Sequence, residues 1–361
     1  MKKNNIFLDV HAIQTLPPSN VNRDDTGSPK TAQYGGVRRA RVSSQSWKRA
    51  MRQYFYENST QANVGVRTLN IVEFVADKII SLDSSIDKDK AMDLADKVIN
   101  DGGVKTKDKK AKALFFLGDS QATELAKLAI DGKADKSAIQ DVIKNNPAID
   151  IALFGRMVAD DPSLNEDASS QVANAISTHA IQSEFDFFTA IDDLAPKDNA
   201  GAGMLGTVEF NSSTLYRYAN ISLHELSRQL GDIKSVVNTS KLFVEAFAKS
   251  LPTGKANTFA NQTLPQLLLV NIRGDRPVNL VSAFEKPVVS NNGYVYESEV
   301  RLIKEMESVE KFVNKPIVSF LVSADDINID DSSIFIEKSL NDLLQNLEER
   351  LLPLLEINIG D

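Results

Sequence analysis

Gly35-Gly36-Val37-Arg38-Arg39-Ala40-Arg41-Val42-Ser43-Ser44-Gln45-Ser46-Trp47-Lys48-Arg49-Ala50-Met51-Arg52-Gln53-Tyr54-Phe55 runs from a glycine turn into a segment of helical period. Trp47, Ala50, Met51, Tyr54 and Phe55 fall at i, i+3, i+4, i+7 and i+8 and form one apolar stripe, with Ser44 or Ser46 placed to cap the helix. Lys48, Arg49 and Arg52 lie on the face that the stripe leaves open. Glycines permit close backbone approach, Ser43, Gln45 and the free N–H groups of a helix start donate hydrogen bonds, and Arg38, Arg39 and Arg41 add charge. Together these make an anion site that grips phosphate without reading bases. The plainer alternative is a basic helix that is merely solvated. Against it, residues 26–56 hold seven basic side chains and no acidic one, in a chain of net charge -8.

Upstream of this stretch, Ile6 to Ile13 is rich in large apolar residues and ends near Pro17-Pro18, which reads as an opening strand. Ser19 to Gly36 reads as a long loop, and a loop of that length inside a compact unit is usually functional. Downstream, residues 66–145 turn rich in lysine, alanine and aspartate with glycine punctuation. They read as a helical insertion with helices near Ala111 to Leu117 and Ala122 to Ile130. Strand character returns at Ile149 to Met157, Thr207 to Phe210 and Thr214 to Ile221. Helices near Leu223 to Leu230 and Val237 to Leu251 precede a strand at Leu267 to Ile272. The chain ends with a helix near Glu297 to Val313, a strand at Pro316 to Val322 and a helix spaced by Leu340, Leu343, Leu344, Leu347, Leu351 and Leu354. This order predicts an α+β fold of the split βαβ kind.

The 361 residues contain no cysteine and three scattered histidines, so disulfides, thiolate chemistry and a histidine metal site are not expected. No apolar run approaches a membrane span, and the N-terminus lacks the pattern of a signal peptide, so a cytoplasmic protein without membrane contact is expected. Residues 301–361 carry 13 acidic and six basic side chains, a solvated acidic surface or a face for a basic neighbour.

Weaker motifs have duller readings. Gly201-Ala202-Gly203-Met204-Leu205-Gly206 matches the dinucleotide pattern, but Pro196 precedes it and the β-prone Thr207 to Phe210 follows, so it reads as a loop tip. Phe185, Phe187 and Phe188 could stack on bases, although phenylalanines in a strand are ordinarily core. Asp24-Asp25 and Asp192-Asp193 are adjacent carboxylates that point apart on extended chain, which suits turns and caps better than two-carboxylate catalysis. His11 and His179 read as structural.

Taken as a set, Asn22-Arg23-Asp24-Asp25, the stretch from Gly35 to Arg52, Gly155-Arg156-Met157, Ala175 to His179, Phe187-Phe188-Thr189-Ala190-Ile191-Asp192-Asp193 and Tyr216 to Ile221 resemble the CasC family, the backbone subunits of type I-E CRISPR Cascade complexes in the RAMP superfamily. Thr258-Phe259-Ala260 and Ala283-Phe284-Glu285-Lys286 match as well. The resemblance is thinnest in residues 57–145 and in the acidic C-terminus. It implies a RRM-like (ferredoxin-like) palm formed by residues 1–56, 149–184 and 216–361, a helical fingers insertion at 57–148 and a thumb hairpin at 185–215. It further implies a non-catalytic subunit with no cofactor that binds CRISPR RNA, meets target DNA through the guide, and assembles with copies of itself and other Cascade subunits as a head-to-tail filament. Ser43, Gln45, Lys48, Arg49 and Arg52 would hold guide phosphates, with Arg23 and Lys30 beside them. Met157 and Phe188 would brace a displaced nucleotide, flanked by Phe187 and Thr189. Phe187 stands where some relatives have tryptophan, which keeps the aromatic ring and removes an N–H donor.

A rival reading is a target-RNA-cleaving backbone subunit of a type III-like complex, in which an aspartate of the N-terminal loop, Asp24 or Asp25, would be catalytic. The Ser-Ser-Gln-Ser-Trp-Lys-Arg and Phe-Phe-Thr-Ala-Ile-Asp-Asp runs favour the type I-E resemblance.

Overall fold

The computed structural model describes residues 5–58, 63–190, 204–327, 331 and 333–359. The Ile191-Asp192-Asp193 run and Gly201 and Gly203 lie outside them. In chain order the elements are β1 (Phe7–Ser19), β2 (Thr31–Tyr34), β3 (Val37–Val42), α1 (Ser44–Asn58), β4 (Gly65–Thr68), α2 (Ile71–Leu82), α3 (Lys88–Asp101), β5 (Thr106–Lys107), β6 (Lys110–Ala111), β7 (Phe115–Gly118), α4 (Asp119–Asp131), α5 (Lys136–Lys144) and α6 (Ile149–Phe154). The second half holds β8 (Ser170–Val172), β9 (Ala175–Ser177), β10 (Glu184–Ala190), β11 (Met204–Ser222), α7 (Leu223–Leu230), α8 (Ile233–Lys249), α9 (Ala256–Phe259), β12 (Leu267–Arg273), α10 (Val295–Val309), β13 (Val318–Ser323), β14 (Ile334–Ile336) and α11 (Leu340–Ile359). The fold is α+β.

One sheet of order β14-β13-β12-β1-β11-β9-β3-β2 organises the molecule, with β8 and β10 also paired to β11. β1 is antiparallel to both β11 and β12. Those two strands are therefore parallel to each other, separated by β1 and joined through α7 and α8, which is a split βαβ arrangement. Side-chain alternation sends Leu8, Val10 and Ala12 of β1, Ala219 and Ile221 of β11 and Val270 and Ile272 of β12 to one face. There they form the main core with Met51 and Phe55 of α1, Phe243 and Phe247 of α8 and Leu343, Leu347 and Leu351 of α11. The other face carries Ile13, Tyr216, Tyr218, Leu267 and Leu269, which pack on Leu302 and Met306 of α10 and on the 3-10 turn Leu280–Phe284. Helices or turns cover both faces, which is why the strand centres are buried at every residue. α2 to α5 enclose a separate hydrophobic cluster of Ile71, Val75, Ile79, Val98, Leu125, Ile139 and Ile143.

Three local expectations are corrected. Ile149–Phe154 is helix α6, not strand; Ile149, Ile151, Ala152 and Leu153 are all buried, and a short run that is apolar throughout carries no period to separate the two states. Ala111 to Leu117 is not helix: β6 closes a hairpin on β5, and β7 pairs with β4 through Val66↔Leu117 and Thr68↔Phe115. Asp108 and Lys109 at positive φ make that hairpin's turn, so tertiary pairing overrides the helical preference of a lysine and alanine stretch. The segment from Ser19 to Gly36 is not wholly loop. β1 continues through Pro17 and Pro18, where its register on β11 shifts as prolines in a strand require. β2 then pairs with β3 around Gly35 and Gly36, both at positive φ, the geometry of a two-residue hairpin turn.

A polar layer crosses the second sheet face. His11 Nδ1 and the Tyr216 hydroxyl are 2.9 Å apart, and the Tyr218 hydroxyl donates to Asp9 Oδ1 at 2.9 Å while Val278 N donates to Asp9 Oδ2. Both titratable groups are fully buried. Burial pushes His11 down to about 3 and Asp9 up to about 7, the latter against its two hydrogen bonds and the nearby Arg273. Asp9 therefore keeps a proton in the folded state that the unfolded chain has lost above pH 4, so its contribution to stability falls as pH rises from about 4 to about 7. Asp9→Asn should flatten this dependence. In urea unfolding at pH 5 and pH 7.5, the wild-type difference in stability should shrink in the variant by roughly 1–3 kcal/mol. An unchanged difference would mean that Asp9 is ionised in the fold.

Candidate nucleic-acid interface

The start of α1 is fixed by Ser43. Its carbonyl accepts from Ser46 N at 3.0 Å and Trp47 N at 3.2 Å, and its own N–H donates to Asn22 Oδ1 at 2.8 Å. Ser44 N donates to Asn174 Oδ1 at 3.2 Å. Trp47, Met51 and Phe55 are buried as the apolar stripe requires, while Gln45 is exposed beside the helix start.

The open side of α1 is divided. Arg49, with Ser46 and Gln53, faces a cleft of 1140 Å³ whose far wall is formed from residues 249–255 and 262–264 and whose rim carries Arg23. Lys48 turns the other way; its ammonium lies 5.6 Å from the Phe154 ring, and partial burial lowers its pKa. Arg52 is engaged within the protein. Its Nε donates to Asp150 Oδ2 at 3.0 Å, its guanidinium lies 4.3 Å from the Phe116 ring, and Asp150 also accepts from Gly65 N at 2.8 Å. Asp150 is fully buried, and burial raises its pKa although Arg52 pulls the other way. Arg52 thus ties α1 to the helical insertion.

The β2–β3 ribbon sorts its cations similarly. Arg38 is exposed, and Lys30 and Arg41 are half-buried. Arg39 does not reach the surface, which corrects its expected place among the phosphate-facing residues. It is 0% exposed and donates to the carbonyls of Tyr34, Ser177 and Phe284, at 3.1, 3.0 and 2.8 Å. Gly35 allows a close approach, but by protein: a Cβ there would fall 1.6 Å from the Glu285 carbonyl oxygen.

β10 and the first half of β11 form a ribbon on which every β10 residue, Thr189 included, is exposed. The default that strand phenylalanines are core fails here: Phe185, Phe187 and Phe188 are 67%, 66% and 42% exposed. Alternation puts Phe185 and Phe187 on one face and Phe188 on the other, where its ring covers Gly206. Met157 is 84% exposed because the preceding Arg156 turns inward, donating to the carbonyls of Leu164, Phe116 and Ile143. His11 and His179 are structural, His179 stacking 3.7 Å from Tyr294. Asp24 is spent on its own turn, accepting from Thr26 N, Thr26 Oγ1 and Ser28 N, and these bonds lower its pKa. The cleft's second wall was missed. Its signal was Pro252-Thr253-Gly254-Lys255, a turn with a cation between a helix and a strand, which without a partner surface reads only as a connection.

The comparisons fit this geometry. The structure matches a chain of an assembly described as a CRISPR RNA-guided surveillance complex, pre-nicking, with TM-score 0.84 and 32% identity, covering 96% of this chain and 100% of that one. A second match, to a chain of a CRISPR RNA-guided surveillance complex, has TM-score 0.65 and 27% identity over 95% and 99% of the two chains. No curated protein matches the chain in sequence. A family model described as CT1975-like protein matches residues 8–346, nearly the whole length, and the chain accordingly belongs to the CT1975-like Cas protein family.

Proposed function

We propose that this chain is a guide-RNA-binding backbone subunit of a CRISPR RNA-guided surveillance complex of type I-E, and that it binds without cleaving. The observation that carries the reading is the cationic start of α1 beside a large open cleft, in a chain whose net charge is -8. Such a surface is rewarded by phosphate and gives no means of reading base edges. A subunit that serves any guide needs that combination, because sequence recognition is left to pairing between guide and target. In an RNA-recognition-like palm the open sheet face would carry the RNA. Here both faces are covered, so binding moves to the helix start and the adjoining loops. The exposed aromatic ribbon supplies what phosphate contacts lack, flat apolar surface against which an unstacked base can rest, with Met157 as its companion. Copies placed head to tail along one guide would repeat the arrangement, and heterologous contacts that do not close give a filament.

Purification from cells carrying a CRISPR array should yield a chain loaded with CRISPR-derived RNA. Lys48→Ala with Arg49→Ala should weaken binding to two unrelated guides equally and lower the salt slope of binding by roughly 1.4, about 0.7 per lost phosphate contact. A loss confined to one guide would show that the pair reads bases.

The nuclease rival places chemistry on Asp24 or Asp25. Asp24 Oδ1 already accepts three hydrogen bonds from its own turn. Assembled complex incubated with matching labelled RNA and magnesium should give no specific cuts. Cuts that vanish in Asp24→Ala or Asp25→Ala would favour the rival.

Stacking on an aromatic is worth on the order of 1–3 kcal/mol per base. Phe188→Ala should therefore lower assembly of the multi-copy complex by tenfold or more while leaving RNA contact by the single subunit within about twofold. Normal assembly of this variant, read by size-exclusion chromatography with guide present, would remove the ribbon from the interface.

A further inference from the structure

The cleft beside α1 has two walls, and only one belongs to the basic stretch. The second is the segment from Ser250 to Leu264, and it is built rather than loose. At one end Ser250 N donates to Ala246 O, closing α8. At the other, Thr263 Oγ1 donates to Thr15 O and Gln14 Nε2 donates to Thr263 O, binding the segment to β1. In between, Gly254 lies so close to the loop after β1 that a Cβ would meet Val21 O at 2.2 Å. The segment is thus pressed backbone to backbone against the strip that carries Asn22 and Arg23.

Two non-glycine residues within it, Lys255 and Ala260, hold left-handed backbone, with φ 51 and 46, on either side of the single turn α9. Such conformations are unfavourable for L residues and persist where surrounding structure imposes them, commonly at ligand sites. Neither is paired with a glycine-like excuse: one bears a long cation, the other a methyl group. The strain sets Lys255 at the junction of two concavities. It lines the 1140 Å³ cleft with Arg49, and it lines a second groove of 420 Å³ at the base of the aromatic ribbon with Phe185 and Thr207. Arg23 borders both as well. Among the described residues, Arg23, Arg49 and Lys255 form no ion pair, whereas the neighbouring Lys249 is held by Glu245 at 2.7 Å. Three unpaired cations therefore mark a path from the start of α1, across the cleft, to the foot of the ribbon.

We infer that Lys255 is a further phosphate-binding residue, which with Arg23 holds an RNA phosphodiester where the strand passes from the cleft to the ribbon. This rests on the RNA-binding reading above. It adds a clamp from the opposite wall, so that the backbone is gripped from two sides and not merely laid on α1. The left-handed backbone at Lys255 fixes the direction of the side chain before RNA arrives, which lowers the ordering cost of binding.

The test uses the full chain and a fluorescent single-stranded RNA of generic sequence, titrated at several salt concentrations. Lys255→Ala should weaken binding three- to tenfold at low salt and lower the salt slope by about 0.7, with an unchanged melting temperature. Lys255→Arg should restore both affinity and slope, which a purely structural role for the side chain would not require. Arg49→Ala in parallel separates the two claims. If it weakens binding while Lys255→Ala matches wild type in affinity and slope, the clamp is wrong and the RNA-binding reading stands. If wild type binds no RNA, both fall.

Discussion

The guanidinium of Arg217 lies in the middle of the protein, 3.6 Å from the Trp47 ring and 4.3 Å from the Phe247 ring, with Nη1 donating to Gln14 Oε1 and Nη2 to the Phe247 carbonyl. It is 1% exposed, and among the described residues no carboxylate pairs with it. Removing a charge from water is expensive unless its surroundings replace the hydration. Here an amide oxygen, a carbonyl and two aromatic faces do so. Burial brings its pKa down only to about 9, so the cation persists at neutral pH. The small Ala12 opposite it on β1 leaves the room it needs. Through this one side chain β11, α1 and α8 become a single unit, and the start of α1, with everything proposed for it, inherits its position from that clasp.

Buried arginine is used repeatedly. Arg39, Arg156 and Arg217 each donate to backbone carbonyls, and Arg273 pairs with Asp275 and also donates to the Arg276 and Asn314 carbonyls. A guanidinium presents five donors in a fixed fork, and that is the geometry needed to gather carbonyls from segments that do not hydrogen-bond to one another. This division of labour explains why basic residues that look equivalent in the sequence end up in different environments. Arg38 and Arg49 remain at the surface, while Arg39 and Arg52 are structural ties.

That sorting was not legible from local pattern. The α1 stripe was, because Trp47, Met51 and Phe55 obey the helical period and the core confirms them. The strands at Leu267 and Val318 and the C-terminal helix were legible for the same reason. Arg39 was not, since its partners Ser177 and Phe284 lie 138 and 245 residues away. Likewise α6 is apolar on all sides, and β7 owes its extended state to β4 across the insertion. The exposed phenylalanines of β10 were ambiguous because exposure belongs to the ribbon's projection beyond the sheet, a property of tertiary placement. The resemblance to a family supplied that placement where residue chemistry could not.

β11 spans 19 residues, and its two halves do different things: from Asn211 onward it pairs with β1 in the central sheet, while its first residues pair only with β10. The ribbon is therefore a cantilever whose root is clamped in the core, with no linker between beam and support. At about 3.3 Å per residue, the seven positions from Met204 to Phe210 extend it roughly 23 Å. A beam of this kind transmits torque to the sheet instead of swinging, so its aromatic faces keep a fixed azimuth relative to α1. Its length is also quantised by the pleat: inserting two residues on each strand would lengthen the beam and preserve the facing of Phe188, whereas inserting one would exchange the faces of Phe187 and Phe188.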